Sequence, residues 1–343
     1  MGYKYMSNKP PIEVPQGAIR LNTDSQKLEF FAQDRWYEMA TDTPNLSTRQ
    51  TNGRGIFMGG HTPTRQDRID FITIATAGGA VDFGNLTDSR SAAAAIASNT
   101  RGMLLGGSSP GNVNTVDFVT ISITSEAIDF GDLTAARHWT QGCSNQTRGL
   151  AAGGNPGTNV IDFCTIASTG DFQDFGDLTN STLNQPQVSA NSSNQSPTRG
   201  FFGGGTPTNT NHIEFVTITT LGNSQDFGDS TTQVAREARG SSSTRALIIG
   251  GVRPEPSAST IIDYFTMSSL GNAVQFGDAS ASISNSAGCS DCIRVAFAHG
   301  NNPSNTNSID YINIATGGDS LDFGDLSLAR NHLGGCSNGH GGL

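Results

Sequence analysis

Positive charge is scarce in this chain: 20 Lys and Arg stand against 30 Asp and Glu, giving a net charge of −10 and a pI near 4.9. No basic stripe occurs, so nucleic acid is not an expected partner, because binding phosphates takes clustered Lys and Arg. Long apolar runs are missing too. No stretch approaches the ~20 apolar residues of a membrane helix, and MGYKYMSNKPPIEVPQG has no apolar signal core. Membrane insertion and Sec-type export are therefore not expected. Cysteine is sparse and odd in number, with five copies. Helical periodicity is lacking apart from the Ala-rich residues 92–95. What is abundant is Gly, with 42 copies, beside much Ser, Thr and Asn. That mixture favours many short strands joined by tight turns.

One sentence repeats six times. Its clearest copy, residues 100–146, reads T-R-G, an apolar run, G-G, a loop, V-D-F-V-T-I, then D-F-G-D-L. The anchor arginines are Arg54, Arg101, Arg148, Arg199, Arg245 and Arg294, spaced by 47, 47, 51, 46 and 49 residues. A period of this size signals a repeat architecture. Each copy offers four strands. In the second copy they are 92–98, 102–105, 116–121 and 127–133. Four short strands per period, closed by Gly-rich turns, predict the blade of a β-propeller. The copies are offset from the blades. The first copy has no innermost strand, whereas the chain continues past Leu326 with one extra. The segment 331–338 is therefore expected to complete the first blade beside 55–59, closing the ring and removing a sheet edge. Cys143, Cys289 and Cys336 share one column, so buried free thiols are expected there.

The repeat resembles the Kelch motif. The features that carry the resemblance are the pairs Gly59–Gly60, Gly106–Gly107, Gly153–Gly154, Gly203–Gly204 and Gly250–Gly251, with His299–Gly300 in the last copy. Third-strand aromatics follow at Phe71, Phe118, Phe163, Phe215, Tyr264 and Tyr311. Fourth-strand aromatics stand at Phe83, Phe130, Phe175, Phe227, Phe276 and Phe323, where Kelch usually has Trp. A trailing Arg is kept at Arg90, Arg137 and Arg330 but replaced by Thr182, Val234 and Ile283. The wording I-D-F-x-T-I…D-F-G-D-L-T looks like repeats of phage structural proteins. The resemblance implies an all-β fold, a six-bladed Kelch-like propeller over 51–343. Residues 1–50 read separately, as an extended arm and three strands at 18–22, 27–32 and 36–39. Their G-A-I-R-L-N-T…L-E…W pattern resembles small modules of tailed-phage virion proteins.

The chemistry-bearing motifs read as structural. D-F-G is a kinase motif, but six copies without a catalytic loop make its Phe core and its Gly a point of close approach. The carboxylates before the third-strand aromatic are Asp70, Asp117, Asp162, Glu214, Asp263 and Asp310. They are spread around a ring rather than converging as calcium would need. They are expected to bind turn amides or to pair with the T-R-G arginine. No histidine pair has ligand spacing, and Cys289-x-x-Cys292 lacks the second pair of a zinc site. No metal, cofactor or catalytic residue is expected.

Recognition is expected on the loops between second and third strands, which differ between copies. Candidate binding residues are Thr62, Arg65, Asn112, Asn155, Asn209, Arg253 and Asn302. Candidate attachment residues in the first module are Phe30, Trp36 and Tyr37. The expected function is that of a non-enzymatic phage virion protein, a tail or tail-fibre component. It would be homo-oligomeric, bound to other virion proteins, and would offer a face to a host glycan or protein. The alternatives are a capsid-decorating or head-appendage protein, and a carbohydrate-active enzyme on a propeller scaffold.

Overall fold

Each copy of the repeat sets short apolar runs between glycine turns, and each copy folds into strands. The computed structural model describes residues 14–22, 27–38, 53–179, 194–205, 210–254 and 256–343, and every regular element among them is a strand. Two compact units emerge, Met1–Arg49 and Gln50–Leu343.

The larger unit holds six four-stranded antiparallel sheets among the described residues. Sheet one runs Gly334–Ser337, Arg54–Met58, Arg68–Thr73 and Val81–Asn85. Sheet two runs Ala94–Ala97, Arg101–Ser109, Gly111–Thr120 and Ile128–Asp132. Sheets three to six follow the same order, with inner strands Gln141–Ser144, Asn194–Gln195, Ala238–Ser241 and Ala287–Ser290. The C-terminal strand pairs with Arg54–Met58 in the register Gly334↔Met58 to Ser337↔Gly55. Inner strands are shorter than the sequence predicts, because the residues just before them turn into left-handed backbone.

Packing joins the sheets in succession into a propeller-like arrangement. Ile56 and Met58 of sheet one meet Leu104 and Val119 of sheet two. Ala94 and Ile96 then meet Ala151 and Ile166 of sheet three. Leu150 meets Phe202 and Val216 of sheet four, and Phe201 meets Ile248 and Phe265 of sheet five. Leu247 meets Val295 and Phe297 of sheet six, and Ala296 and Ile309 meet Phe57 and Ile72 of sheet one. Burying each of the Ile, Leu, Val, Phe and Met side chains among these stabilises the fold by roughly 1.5–3 kcal/mol.

The recurring polar residues fasten these same junctions. The T-R-G arginines do not pair with the carboxylates, contrary to one expectation. Each lies over its own third-strand aromatic, as Arg101 over Phe118 at 4.6 Å. Each also donates to a carbonyl of the next sheet, from Arg54 to Ile121 O at 3.1 Å through to Arg294 to Ala75 O at 2.8 Å. Planarity explains the choice: a guanidinium can stack on a ring and still aim its N–H groups sideways. The carboxylates accept instead from the Thr or Ser that follows D-F-G-x-L in the preceding sheet. Thr87 Oγ1 reaches Asp117 at 2.7 Å, Thr134 Oγ1 reaches Asp162 at 2.7 Å, and Ser327 Oγ reaches Asp70 at 2.6 Å. The D-F-G glycines allow close approach as expected. A Cβ on Gly84 would stand 2.3 Å from Ser125 O, a carbonyl in the turn of sheet two. In the fourth copy the left-handed pair is Gly204–Gly205 rather than the Gly203–Gly204 read from sequence.

Cys143, Cys289 and Cys336 are buried free thiols, as is Cys164. Burial pushes the thiols of Cys164 and Cys336 up to about 12.

The smaller unit is a three-stranded sheet, Ile19–Asn22, Lys27–Ala32 and Arg35–Glu38. Its second hairpin turns through Gln33 and Asp34, both with positive φ, which matches the right-handed twist of the strands it joins.

Candidate functional site

The loops between second and third strands hold on to one another. Arg65 Nη2 crosses to the loop of sheet two, 2.9 Å from Ser108 Oγ and 3.2 Å from Pro110 O. Asn112 Nδ2 donates onward to Asn155 O at 2.9 Å in sheet three. From the other side, Asn305 Nδ2 donates to His61 O at 3.0 Å. Thr62 and Asn302 sit at hairpin tips, paired with Thr64 and Ser304. The structure thus links the loops that carry Arg65, Asn112 and Asn155 into a belt. Asn209 lies outside the described residues.

Arg253 is not a surface residue. Its side chain is 0% exposed and its Nη1 lies 2.5 Å from Asp263 Oδ2, with Nε donating to Gly250 O. The sequence expectation fails because the buried Asp263 needs a cation and the preceding sheet offers Val234 where others offer Arg.

Beside the belt, a ring of backbone forms just before the inner strands. Ala92, Trp139, Arg236, Asn285 and His332 occupy the same repeat position, with φ of 56, 54, 63, 51 and 52°. The equivalent position in the third copy lies outside the described residues. These five are linked head to tail across sheets. Trp139 N donates to Ala92 O at 2.7 Å and Ala92 N to His332 O at 2.9 Å. His332 N donates to Asn285 O at 3.1 Å and Asn285 N to Arg236 O at 2.9 Å. Left-handed backbone disfavours large side chains. Strain of this kind persists where surrounding structure enforces it, and here the inter-sheet bonds do so.

The ring carries basic and aromatic groups. The Trp139 indole lies 4.4 Å from the His138 ring and 6.4 Å from the His332 ring, centroid to centroid. Burial lowers His332 to about 4, helped by the neighbouring basic side chains of Arg236, His61 and His138. Burial, then Arg65, lowers His138. Sequence reading missed these residues because no single residue type recurs in their column. The available signal was the opposite one: Ala, Trp, Arg, Asn and His in a place the fold holds constant.

At the other end of the inner strands the C-terminal residues turn inward. His340 is buried, its Nε2 donating to Ala97 O at 2.8 Å while Nδ1 accepts from Gly342 N at 3.1 Å. Burial holds its imidazole down at about 4. Only glycine fits next to it, since a Cβ on Gly341 would stand 1.9 Å from Ser242 O.

In the smaller unit, Phe30 and Tyr37 stack at 5.5 Å, and Phe30 is 37% exposed. Trp36 faces the opposite side with Phe31 and lies under Arg20 at 4.1 Å. The three attachment candidates therefore do not form one patch. Among the described residues no cluster of three or more His, Cys, Asp or Glu is placed to hold a metal. No protein-family model matches the chain, and no curated protein is detectably similar to it in sequence.

Proposed function

We propose that this protein is a non-enzymatic structural component of a tailed-phage virion, a tail or tail-fibre part. In this reading the larger unit is a six-bladed Kelch-like propeller closed by its C-terminal strand. The smaller unit attaches it to neighbouring virion proteins, and the face bearing the loop belt and the backbone ring meets a host glycan or protein. The virion assignment draws on the resemblance of both units to phage structural repeats. One observation carries the binding role. The polar residues that recur in every copy are spent on joining sheet to sheet, as the T-R-G arginines and the buried carboxylates are. Chemistry that does not recur gathers at one end of the inner strands. Its groups there, Trp139, His138, Arg236 and His332, suit binding better than the paired carboxylates of glycoside hydrolysis would.

The test is particle composition. Mass spectrometry of purified virions is expected to find the full chain. A variant lacking residues 1–49 should remain soluble yet be missing from particles. Incorporation at the normal level without those residues would sink the attachment role.

A further inference from the structure

Residues 338–343 follow the inner strand of sheet one and reach all six sheets of the larger unit. Asn338 stays with sheet one, its N donating to Arg54 O at 3.3 Å and its Oδ1 accepting from Arg54 N at 2.8 Å. Gly339 O accepts from Cys292 N, just past the inner strand of sheet six, at 3.2 Å. His340 Nε2 donates to Ala97 O of sheet two at 2.8 Å and lies 3.4 Å from Ser144 Oγ of sheet three. Gly341 lies against Gln195 O of sheet four and Ser242 O of sheet five, where a Cβ would stand at 2.7 and 1.9 Å. The turn then closes on itself, with Gly342 N donating to His340 Nδ1 and Leu343 N to His340 O, both at 3.1 Å. His340 also lines a small cavity between the inner strands, together with Gln195, Arg239, Cys289, Ser290, Cys336 and Ser337.

We infer that residues 338–343 are a lid over the ends of the inner strands, and that it opens when His340 takes up a proton. Both ring nitrogens are in use in one tautomer, Nε2 as donor and Nδ1 as acceptor. A proton can be added only at Nδ1, where the Gly342 N–H already points, so two donors would face each other. The side-chain partners of His340 among the described residues, Ala97 O, Ser144 Oγ and Gly342 N, include no carboxylate. The charge that shares its cavity is Arg239, held by Glu237 at 2.7 Å. Asp291 lies against Gly339, but its Oδ1 accepts from Ile293 N and Arg294 N. The guanidiniums of Arg54 and Arg294 reach Ile121 O and Ala75 O instead. Burial keeps the Cys289 and Cys336 thiols protonated, and Cys292 Sγ lies 3.6 Å from Gly339 O. An imidazolium under the shut lid would therefore be a buried ion without a counter-charge, and leaving for water hydrates it. Opening bares the cavity and its two thiols. The inference rests on the closed ring of the reading above and adds a moving part to it.

Hydrogen exchange of the full chain, read by mass spectrometry and corrected for intrinsic rates, separates the lid from the ring. With His340 near 6.5 in water and at about 4 under the shut lid, the ratio of open to shut rises about a hundredfold from pH 7 to pH 4. Protection of residues 338–343 should fall by that factor, while the strands Gly334–Ser337 and Arg54–Met58 keep theirs. In His340→Gln the lid's protection should not change with pH. Gly341→Ala should lose it already at pH 7, because the added Cβ meets Ser242 O. In a Cys292→Ser background at pH 4, a pyridyl disulfide reagent should label Cys289 and Cys336 at least about tenfold faster than when His340→Gln is added. Equal lid protection at pH 7 and pH 4 overturns the proposal. The same fall in His340→Gln overturns His340 as the trigger, and loss of protection in all strands together overturns a local opening. If Gly334–Ser337 and Arg54–Met58 hold at both pH values and the lid does not respond, the ring stands and the lid falls. If those two strands exchange freely at pH 7, the closed ring itself falls.

Discussion

Sheets one, two and three hold their buried carboxylate one way, and sheets five and six another. In the first group an Arg arrives from the preceding sheet: Arg330 lies 2.9 Å from Asp70, Arg90 2.8 Å from Asp117 and Arg137 2.7 Å from Asp162. Burial pushes each of these guanidiniums below its ordinary value, and the facing carboxylate opposes that fall. In the second group Val234 and Ile283 replace the arginine. There the outer strand of the preceding sheet does not stop after five residues. It runs for ten, Gln225–Val234 and Val274–Ile283, and pairs Val234 with Thr210 and Ile283 with Ser259. The partner then comes from within the sheet itself. Arg253 serves Asp263, and His299 Nε2 lies 3.2 Å from Asp310 Oδ2. Burial opposes ionisation of Asp310, but hydrogen bonds from His299, Ser280 and Ser320 outweigh it and hold the carboxyl below its usual range. The fold demands a donor at this carboxylate, because an ion left alone in the interior is expensive. It does not demand that the donor come from one place in the sequence.

The comparison can be broken most severely in sheet one, whose partners come from the far end of the chain. Deleting residues 327–343 removes Ser327, Arg330 and the inner strand together. The cooperative thermal transition is expected to disappear in calorimetry, and a melting curve like that of the full chain would refute the pairing. Next, Arg137→Ala and Arg253→Ala should each cost about 3–5 kcal/mol in denaturant unfolding, since each strands a buried carboxylate. A surface Arg253 would give a change within about 0.5 kcal/mol. Adding Val234→Arg to Arg253→Ala should restore part of the loss, because it supplies the cation by the route used in sheets one to three. The smallest effect concerns pH. His340 titrates near 6.5 when unfolded and at about 4 when folded. Its depressed value means that the unfolded chain binds the extra proton first. Stability is thus full above about pH 6.5, falls through that window and levels below about 4, a loss of roughly 3 kcal/mol. His340→Gln should flatten the melting temperature between pH 7 and 5 relative to wild type.

Much of the scaffold is legible in the sequence. A period near 47 with four apolar runs per copy allows few arrangements other than stacked four-stranded sheets. The missing first strand and the spare last one pointed to the pairing of 334–337 with 55–58. The partners of the repeated polar residues were not legible. An arginine at the Arg101 position and a carboxylate at the Asp117 position recur in every copy, yet in the second copy they serve different contacts, one an aromatic ring and a carbonyl, the other a hydroxyl and a second arginine. Spacing along one strand does not say which neighbour faces a side chain across a junction of two sheets. The candidate site was less legible still. Arg253 reads as a surface residue because its loop is polar, yet its side chain is buried.

By itself the sequence determined the elements and their number. Apolar runs, glycine turns and the fixed period act locally, within one copy, and any copy read alone yields the same four strand positions. Only the tertiary structure decided what the odd residues do. Ala92, Trp139, Arg236, Asn285 and His332 share no chemistry, but bonds between sheets impose one left-handed backbone on all five. That constraint comes from neighbours some 47 residues away along the chain, so no local pattern records it.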